Sequence, residues 1–200
     1  ILSDVHGFIF PTDFSSRGKD LPIGLLKANH LIEQDCVHYD GSVKIDNGDF
    51  LQGSPLCNYL VSKLKSSLPL TSIYNRLGFD FGTVGNHEFN YDLPYLKQAI
   101  NQLHYPVLCA NIIENTQPFT GQGIHYFKVN GLTIGTIGLT TQYIPHWEQP
   151  DYIKTLTFNS AFHTLKSELP TLREKSDIVV VSYHGGFERD LDSGIPTEAL

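Results

Sequence analysis

Helix-type and strand-type patterns of apolar residues alternate along this chain of 200 residues. Between residues 21 and 34 the apolar positions recur every three or four residues, which predicts an amphipathic helix. The last predicted helix covers residues 160–173, and Pro170 should break or kink it. The other helices are predicted after Ser54-Pro55, over 71–77, and after Asp92 with Pro94 just inside.

Strand-type runs lie between these helices. Asn130-Gly131 separates two apolar segments, 126–129 and 132–135, and this arrangement predicts a β-hairpin. The polar stretch 111–124 is predicted to be a loop. The other strands are predicted at 1–3, 43–45, 80–84, 106–110 and 177–182. Strands that alternate with helices predict a layered α/β fold with largely buried strands and the hairpin inserted midway.

Polar side chains of the metal-binding or catalytic type follow four of the predicted strands. In α/β folds, ligands bind just outside the carboxyl ends of the strands, so these positions are candidates for a site. They are Asp4 with His6, Asp49, Asn86 with His87, and His184. Each alone could be an ordinary turn, cap or strand-end residue. Their joint occurrence at separate strand ends indicates a common site.

These side chains suit a centre of two divalent metal ions. Two neighbouring cations repel each other, so a carboxylate must lie between them, and Asp49 is the natural bridge. Asp4 and His6 are one residue apart, so in a strand their side chains would share a face and could hold the same ion. Asn86 and His184 can serve the second ion. Mixed nitrogen and oxygen ligands favour Mn, Fe, Zn, Co or Ni over Ca and leave the choice among them open.

Composition narrows the classes of partner and compartment. The net charge of −7 argues against sequence-independent binding of a nucleic-acid polymer, which needs Lys and Arg to neutralise phosphates. No apolar run is long enough to span a membrane. Three widely spaced cysteines suggest neither a disulfide framework nor a zinc knuckle, and they favour a reducing, cytoplasmic compartment. A secreted or cell-surface location stays open because the true N-terminus is not in hand.

The candidate residues together resemble the signature of the calcineurin-like metallophosphoesterases. The matching blocks are Asp4-x-His6, Gly48-Asp49, Gly85-Asn86-His87-Glu88 and the later strand-end His184. The segments 47–55 and 85–91 are similar to the branch of 5′-nucleotidases and 2′,3′-cyclic-nucleotide 2′-phosphodiesterases. The resemblance extends over almost the whole chain.

The resemblance implies a four-layer α/β fold with a β-sandwich core flanked by helices. It also implies two divalent metal ions and the hydrolysis of phosphate esters by a metal-activated water. By position, Asp49 and the other four ligand candidates take the roles described above. His87 would not be a ligand; it would face the phosphate and stabilise the transition state or protonate the leaving oxygen.

Two departures from the family pattern affect the expected site. Family members carry a further Gly-His-x-His block, and this chain ends before any such motif. Either residues beyond Leu200 complete the site or the fragment cannot hold both metals fully.

Asn90 stands where the 5′-nucleotidase pattern has an Asp that orients the catalytic His. An amide can accept a hydrogen bond from the imidazole but adds no negative charge. Asn90-Tyr91 instead resembles the cyclic-phosphodiesterase branch and predicts a preference for 2′,3′-cyclic or 3′-phosphates.

We therefore expect residues 1–200 to be the catalytic domain of a nucleotide-directed metallophosphoesterase, truncated at both ends, with a nucleotide-recognition domain beyond residue 200. One alternative is an enzyme for a non-nucleotide ester; another is a metal-binding relative without catalysis, against which the intact set of candidate residues argues. Glu88 is expected to support the ligands. The aromatic segment 143–150 is expected to be a packed surface loop, with the alternative that it leans over the site. The sequence leaves the oligomeric state open.

Overall fold

The structure is a computed structural model that describes residues 1–12, 16 and 18–186. The boundary predicted at residue 200 lies outside these residues. One of two central sheets is formed by the parallel strands β1 (Ile45–Asp46), β2 (Phe81–Thr83) and β3 (Val107–Leu108). The predicted first strand is reduced to a single bridge between Leu2 and Asp46.

The second central sheet contains β6 (Ile124–Val129), β7 (Leu132–Thr140) and β9 (Ile178–His184). β6 and β7 form the predicted antiparallel hairpin, and both residues of its Asn130-Gly131 turn have positive φ, as this turn type requires. β9 pairs parallel with β7, so that the last residues of the two strands lie side by side. The carboxyl ends of β7 and β9 therefore share one edge of the sheet.

The two sheets pack face to face. Phe81 of the first sheet lies 6.3 Å from Phe127 of the second, measured between ring centroids. Leu108 joins this inner cluster, whereas its neighbour Val107 belongs to a larger core on the opposite face. This alternation follows from the two-residue period of a strand. The Thr140 hydroxyl donates to the Val84 carbonyl at 2.6 Å, which ties the carboxyl ends of the two sheets together.

Helices cover the two outer faces of this sandwich. On the second sheet, Ala161 and Leu172 of α6 (Ala161–Lys175) pack against Ile137 and Leu139. On the first sheet, the larger core includes side chains from three helices: α2 (Pro55–Tyr59), α3 (Leu68–Tyr74) and α4 (Leu93–Gln102). The order helix, sheet, sheet, helix confirms the predicted four-layer α/β fold with a β-sandwich core. No helix in the described part of the chain is long and apolar enough to cross a membrane.

The helix starts predicted after Ser54 and after Asp92 agree with the structure, whereas the helix predicted over 71–77 begins earlier, at Leu68. The Ser54 hydroxyl accepts a hydrogen bond from Cys57 N at 3.3 Å, and the Asp92 carboxylate accepts one from Tyr95 N at 2.8 Å. The first helix, α1, begins later than predicted. The remaining helical elements are α1 (Leu25–Cys36), a π-helical turn (Leu60–Leu64), two 3₁₀ turns (His87–Asn90 and Ile144–His146) and α5 (Pro150–Ile153).

Two predictions about local structure are wrong. The stretch 111–124 is not only loop: β4 (Ile112–Glu114) pairs with β5 (Gln117–Pro118), and β8 (Leu156–Phe158) completes a third, antiparallel sheet. Strands of two or three residues are too short to show a periodic pattern. The helix α6 also continues through Pro170 instead of ending there. Pro170 lies on the exposed face, where water can solvate the carbonyl that lacks an N–H partner.

Candidate metal centre

The predicted site residues come together at the carboxyl ends of the central strands. Asp49 follows β1, Asn86 and His87 follow β2, and His184 is the last residue of β9. Residues 4–6 lie alongside the loop after β1, because Asp4 N donates to the Gly48 carbonyl at 3.0 Å and His6 N donates to the Asp49 carbonyl at 2.8 Å. The residues that the strand-end rule selected therefore lie at one edge of the sheets.

Asp49 lies at the centre of the site. Its side chain is only 2% exposed, and its Oδ1 accepts a hydrogen bond from His87 N at 2.8 Å. Its Oδ2 lies 3.2 Å from His184 Nε2 and 3.9 Å from His6 Nε2. His6 Nε2 is also 3.8 Å from Asp4 Oδ1. One carboxylate thus contacts groups on every loop of the site.

Two groups of possible metal ligands share this carboxylate. The ligand atoms of Asp4, Asp49 and His184 lie within 4.8 Å of one another, and so do those of His6, Asp49 and His87. Carboxylate oxygens and imidazole nitrogens in such clusters fit a divalent transition metal. The amide of Asn86 is adjacent to the second group and makes no side-chain hydrogen bond within the described residues, which leaves its oxygen available.

The backbone of three candidate ligands is in the left-handed region. The φ angles are 57° at Asp4, 50° at His6 and 60° at Asp49. Residues other than glycine adopt this conformation rarely, and it concentrates at functional sites. The expectation that Asp4 and His6 share the face of a strand is therefore wrong, because a left-handed loop rather than strand alternation brings their side chains together.

Glu88 is a buried support for the two loops that carry Asp49 and His87. Its carboxylate accepts hydrogen bonds from four backbone N–H groups, at 2.5 to 3.2 Å. The donors belong to Gly85, Asp49, Phe50 and Leu51. With its acceptor sites occupied and its side chain fully buried, Glu88 holds the loops together, as expected of a residue that supports ligands.

The glycines of the two motifs allow these loops to approach each other. A Cβ atom at Gly85 would lie 2.1 Å from Asp49 Oδ1. A Cβ at Gly48, whose φ is +87°, would lie 2.3 Å from Gly85 N. Both distances are far below van der Waals contact. Glycine at these two positions is therefore needed for the packing of Asp49 against the loop after β2.

Three histidines of the site are each held at Nδ1 by an oxygen atom. His6 Nδ1 lies 2.8 Å from the Gln52 carbonyl, and His184 Nδ1 lies 2.5 Å from the Asn47 carbonyl. Because a carbonyl only accepts, the proton is on Nδ1 and Nε2 is left for the site. His87 Nδ1 lies 2.6 Å from the side-chain oxygen of Asn90.

Sequence reasoning missed Glu148. Asn90 Nδ2 donates a hydrogen bond to Glu148 Oε1, so that a carboxylate follows the neutral amide next to His87. Burial raises the pKa of Glu148, while the hydrogen bond from Asn90 and the charge of His87 oppose this shift. The segment 143–150 thus reaches the hydrogen-bond partner of His87, which agrees with the alternative that it leans over the site rather than with a packed surface loop. Nothing in the local sequence indicates a contact between positions 58 residues apart.

Asp46, at the end of β1, and Asp49, in the loop that follows, ionise differently. Burial opposes ionisation of Asp49, but its hydrogen bond and attraction to His184 lower the pKa of this carboxyl. Burial likewise disfavours a charged His184, but Asp49 raises the pKa of the imidazole to about 9. At Asp46 burial prevails: it raises the pKa of this carboxyl to about 7 despite the hydrogen bond from the Tyr105 hydroxyl and the attraction to His184.

Comparison with known sequences relates the chain to nucleotide phosphoesterases. No model of a known protein family matches it. It is 34% identical over 202 residues to a 2′,3′-cyclic-nucleotide 2′-phosphodiesterase/3′-nucleotidase from Salmonella typhimurium, a match that covers 94% of this chain and 31% of that protein. The protein of the same name from Haemophilus influenzae is 31% identical, with 92% and 30% covered. The chain spans about a third of the length of these curated relatives.

Solved structures agree with this relationship. A Staphylococcus aureus protein described as a 5′-nucleotidase is 61% identical and superimposes with a TM-score of 0.92 over 99% of this chain and 40% of that one. The calcineurin-like phosphoesterase YfkN from Bacillus subtilis, at 24% identity and a TM-score of 0.85, shares the fold over 98% of this chain and 64% of its own. Proteins of this kind use divalent metals, and the donor groups around Asp49 fit such ions. The chain belongs to the calcineurin-like metallophosphoesterases, in the branch of 5′-nucleotidases and 2′,3′-cyclic-nucleotide phosphodiesterases.

Proposed function

We propose that this chain catalyses the metal-dependent hydrolysis of nucleotide phosphate esters, with 2′,3′-cyclic and 3′-phosphates preferred to 5′-phosphates. The observation that carries the proposal is the meeting of two donor groups at the buried carboxylate of Asp49, one of which includes His87. The relatives named as cyclic-nucleotide phosphodiesterases support the substrate class. Asn90-Tyr91 supports the preference within it.

Five side chains would hold two divalent ions of the Mn, Zn, Fe, Co or Ni type. Asp49 would bridge, with Asp4 and His6 on one ion and Asn86 and His184 on the other. When bound, such ions neutralise phosphate charge and lower the pKa of coordinated water. The buried position of Asp49 and the fixed Nδ1 atoms of His6 and His184 keep these ligands oriented before any substrate arrives.

His87 would act on the substrate. Its Nδ1 is occupied by Asn90, which leaves Nε2 as the ring nitrogen that can reach a phosphate or a leaving oxygen. Its backbone N–H is bonded to Asp49, so the ring is fixed relative to the shared carboxylate. A proton on Nε2 can be donated to the departing alkoxide, or its positive charge can stabilise the transition state.

The experiment compares substrates and a ligand variant in a full-length protein that contains this chain. With Mn²⁺ supplied, we expect kcat/KM for 2′,3′-cyclic AMP and 3′-AMP to exceed that for 5′-AMP by about tenfold or more. Asp49→Asn should lower kcat/KM on every substrate by roughly 10³-fold, because a neutral amide cannot bridge two cations. Asp151→Asn, whose side chain is 90% exposed, is the matched control and should behave as wild type.

Three results would contradict the proposal. Much faster hydrolysis of 5′-AMP than of 2′,3′-cyclic AMP would refute the preference within nucleotides. Hydrolysis of p-nitrophenyl phosphate without hydrolysis of any nucleotide would refute the substrate class. Wild-type activity of Asp49→Asn would refute the assignment of the site itself.

A further inference from the structure

Glu148 contacts no candidate metal ligand in the described structure, yet it is connected to His87 through one residue. Its Oε1 accepts a hydrogen bond from Asn90 Nδ2, and Asn90 Oδ1 lies 2.6 Å from His87 Nδ1. Glu148, Asn90 and His87 therefore form a continuous chain of hydrogen bonds from the segment after β7 to the site.

The segment that carries Glu148 is held in place on both sides. Thr141 N donates to the His184 carbonyl at 2.9 Å, which fixes its start beside the site. Ile144 is fully buried, and Glu148 N donates to the Ile144 carbonyl at 3.1 Å. The Glu148 carboxylate is therefore supported by packing and backbone hydrogen bonds rather than presented by a free loop.

His87 needs this support more than the other two histidines of the site. His6 and His184 are held by backbone carbonyls, which present only an acceptor. The amide of Asn90 can turn over and present its NH₂ group instead of its oxygen. His87 Nδ1 would then have to accept a hydrogen bond, and its proton would be lost from that position. The Glu148 carboxylate accepts a hydrogen bond from the NH₂ group of Asn90 and so selects one orientation of the amide.

We propose that Glu148 is a positioning residue for His87: it holds Asn90 Nδ2, keeps Asn90 Oδ1 on the imidazole, and thereby fixes the ring and the proton on Nδ1. The kinetic part of this inference rests on the proposed function, whereas its structural part does not. Among the described residues the connection from Glu148 to His87 runs through Asn90.

Replacing the carboxylate separates positioning from binding. Glu148→Ala should lower kcat by about 10- to 100-fold with KM and metal content unchanged, because the ring is no longer held in one state. Glu148→Gln should retain most of kcat, since its amide oxygen can still accept from Asn90 Nδ2. Glu174→Ala, on the exposed face of α6, is the control for loss of a surface glutamate and should match wild type.

A charge exchange tests the contact between positions 90 and 148 directly. Asn90→Asp places a carboxylate against the carboxylate of Glu148, where neither can donate, so we expect a larger loss of kcat than in Glu148→Gln. The double variant Asn90→Asp/Glu148→Gln restores a donor between the two positions and should recover at least tenfold of that loss. If Asn90→Asp and the double variant have equal activity, the contact between positions 90 and 148 is contradicted.

The ring of His87 provides a readout that needs no activity. In ¹⁵N NMR of the full-length protein, at a pH where the His87 ring is neutral, wild type should show a single His87 tautomer with the proton on Nδ1, and Glu148→Ala should show a mixture. If Glu148→Ala has wild-type kcat and an unchanged His87 signal, the inference is wrong. If the signal changes while wild type hydrolyses no phosphate ester, the positioning role stands and the proposed function fails.

Discussion

His184 and His87 contact different oxygens of the Asp49 carboxylate and are held in different ways. His184 is 7% exposed in its side chain, and its Nδ1 is fixed by a backbone carbonyl. His87 is only partly buried, and its Nδ1 is fixed by the side chain of Asn90, which is itself held by Glu148. The buried side of the site is thus built from the backbone, and the open side from side chains.

This difference separates the consequences of mutation. On the buried side, Glu88 accepts four backbone N–H groups, so changing it should affect folding as well as activity. On the open side, Asn90 and Glu148 support one ring, and most of their surroundings are solvated. Changes there should affect catalysis and leave the free energy of unfolding nearly unchanged.

The same substitution at two glutamates gives the largest expected contrast. Glu88→Gln leaves one acceptor oxygen for four buried donors, so the free energy of unfolding should fall by about 3–5 kcal/mol. Glu148→Gln should change it by less than about 0.5 kcal/mol. Urea denaturation of both variants measures the difference. Equal stability of the two variants would show that the buried side does not depend on the Glu88 carboxylate.

Asp46 predicts a pH dependence of stability on the buried side. Its pKa is raised to about 7 in the fold by burial, against 3.8 for an ordinary aspartate, so folding favours the neutral form. The stability contributed by this group is complete below about pH 4 and is lost as the pH rises through about 7. Residue 46 does not titrate in Asp46→Asn. Between pH 4 and pH 8 the unfolding free energy of this variant should therefore rise, relative to that of wild type, by about 2–4 kcal/mol. A constant difference across this range would contradict the raised pKa.

Much of the fold and the position of the site could be predicted from local patterns. The apolar runs located the strand ends that carry Asp49, Asn86 and His184, and Asn130-Gly131 located the hairpin. Ser54 and Asp92 marked helix starts, since a cap depends on residues only three positions apart. These features need few neighbours and no tertiary contacts.

Other features depend on contacts between distant parts of the chain. The left-handed backbone at Asp4 and His6 is imposed by hydrogen bonds to the loop after β1, which no periodicity reveals. The strands β4, β5 and β8 are short and gain stability from one another. Glu148 contacts Asn90 across 58 positions of the sequence, so its role could not be predicted from local patterns.

The metal content of His87→Ala shows whether His87 acts on the substrate or binds a metal ion. The structure places His87 in a group with His6 and Asp49 that could hold an ion. In the proposed function, His87 instead contacts the substrate. In the full-length protein we predict the same metal content per chain as wild type, measured by elemental analysis, with kcat lowered by about 10²- to 10⁴-fold. Asp49→Asn should lose metal and activity together. Loss of metal from His87→Ala would show that His87 is a metal ligand and would contradict its role in acting on the substrate.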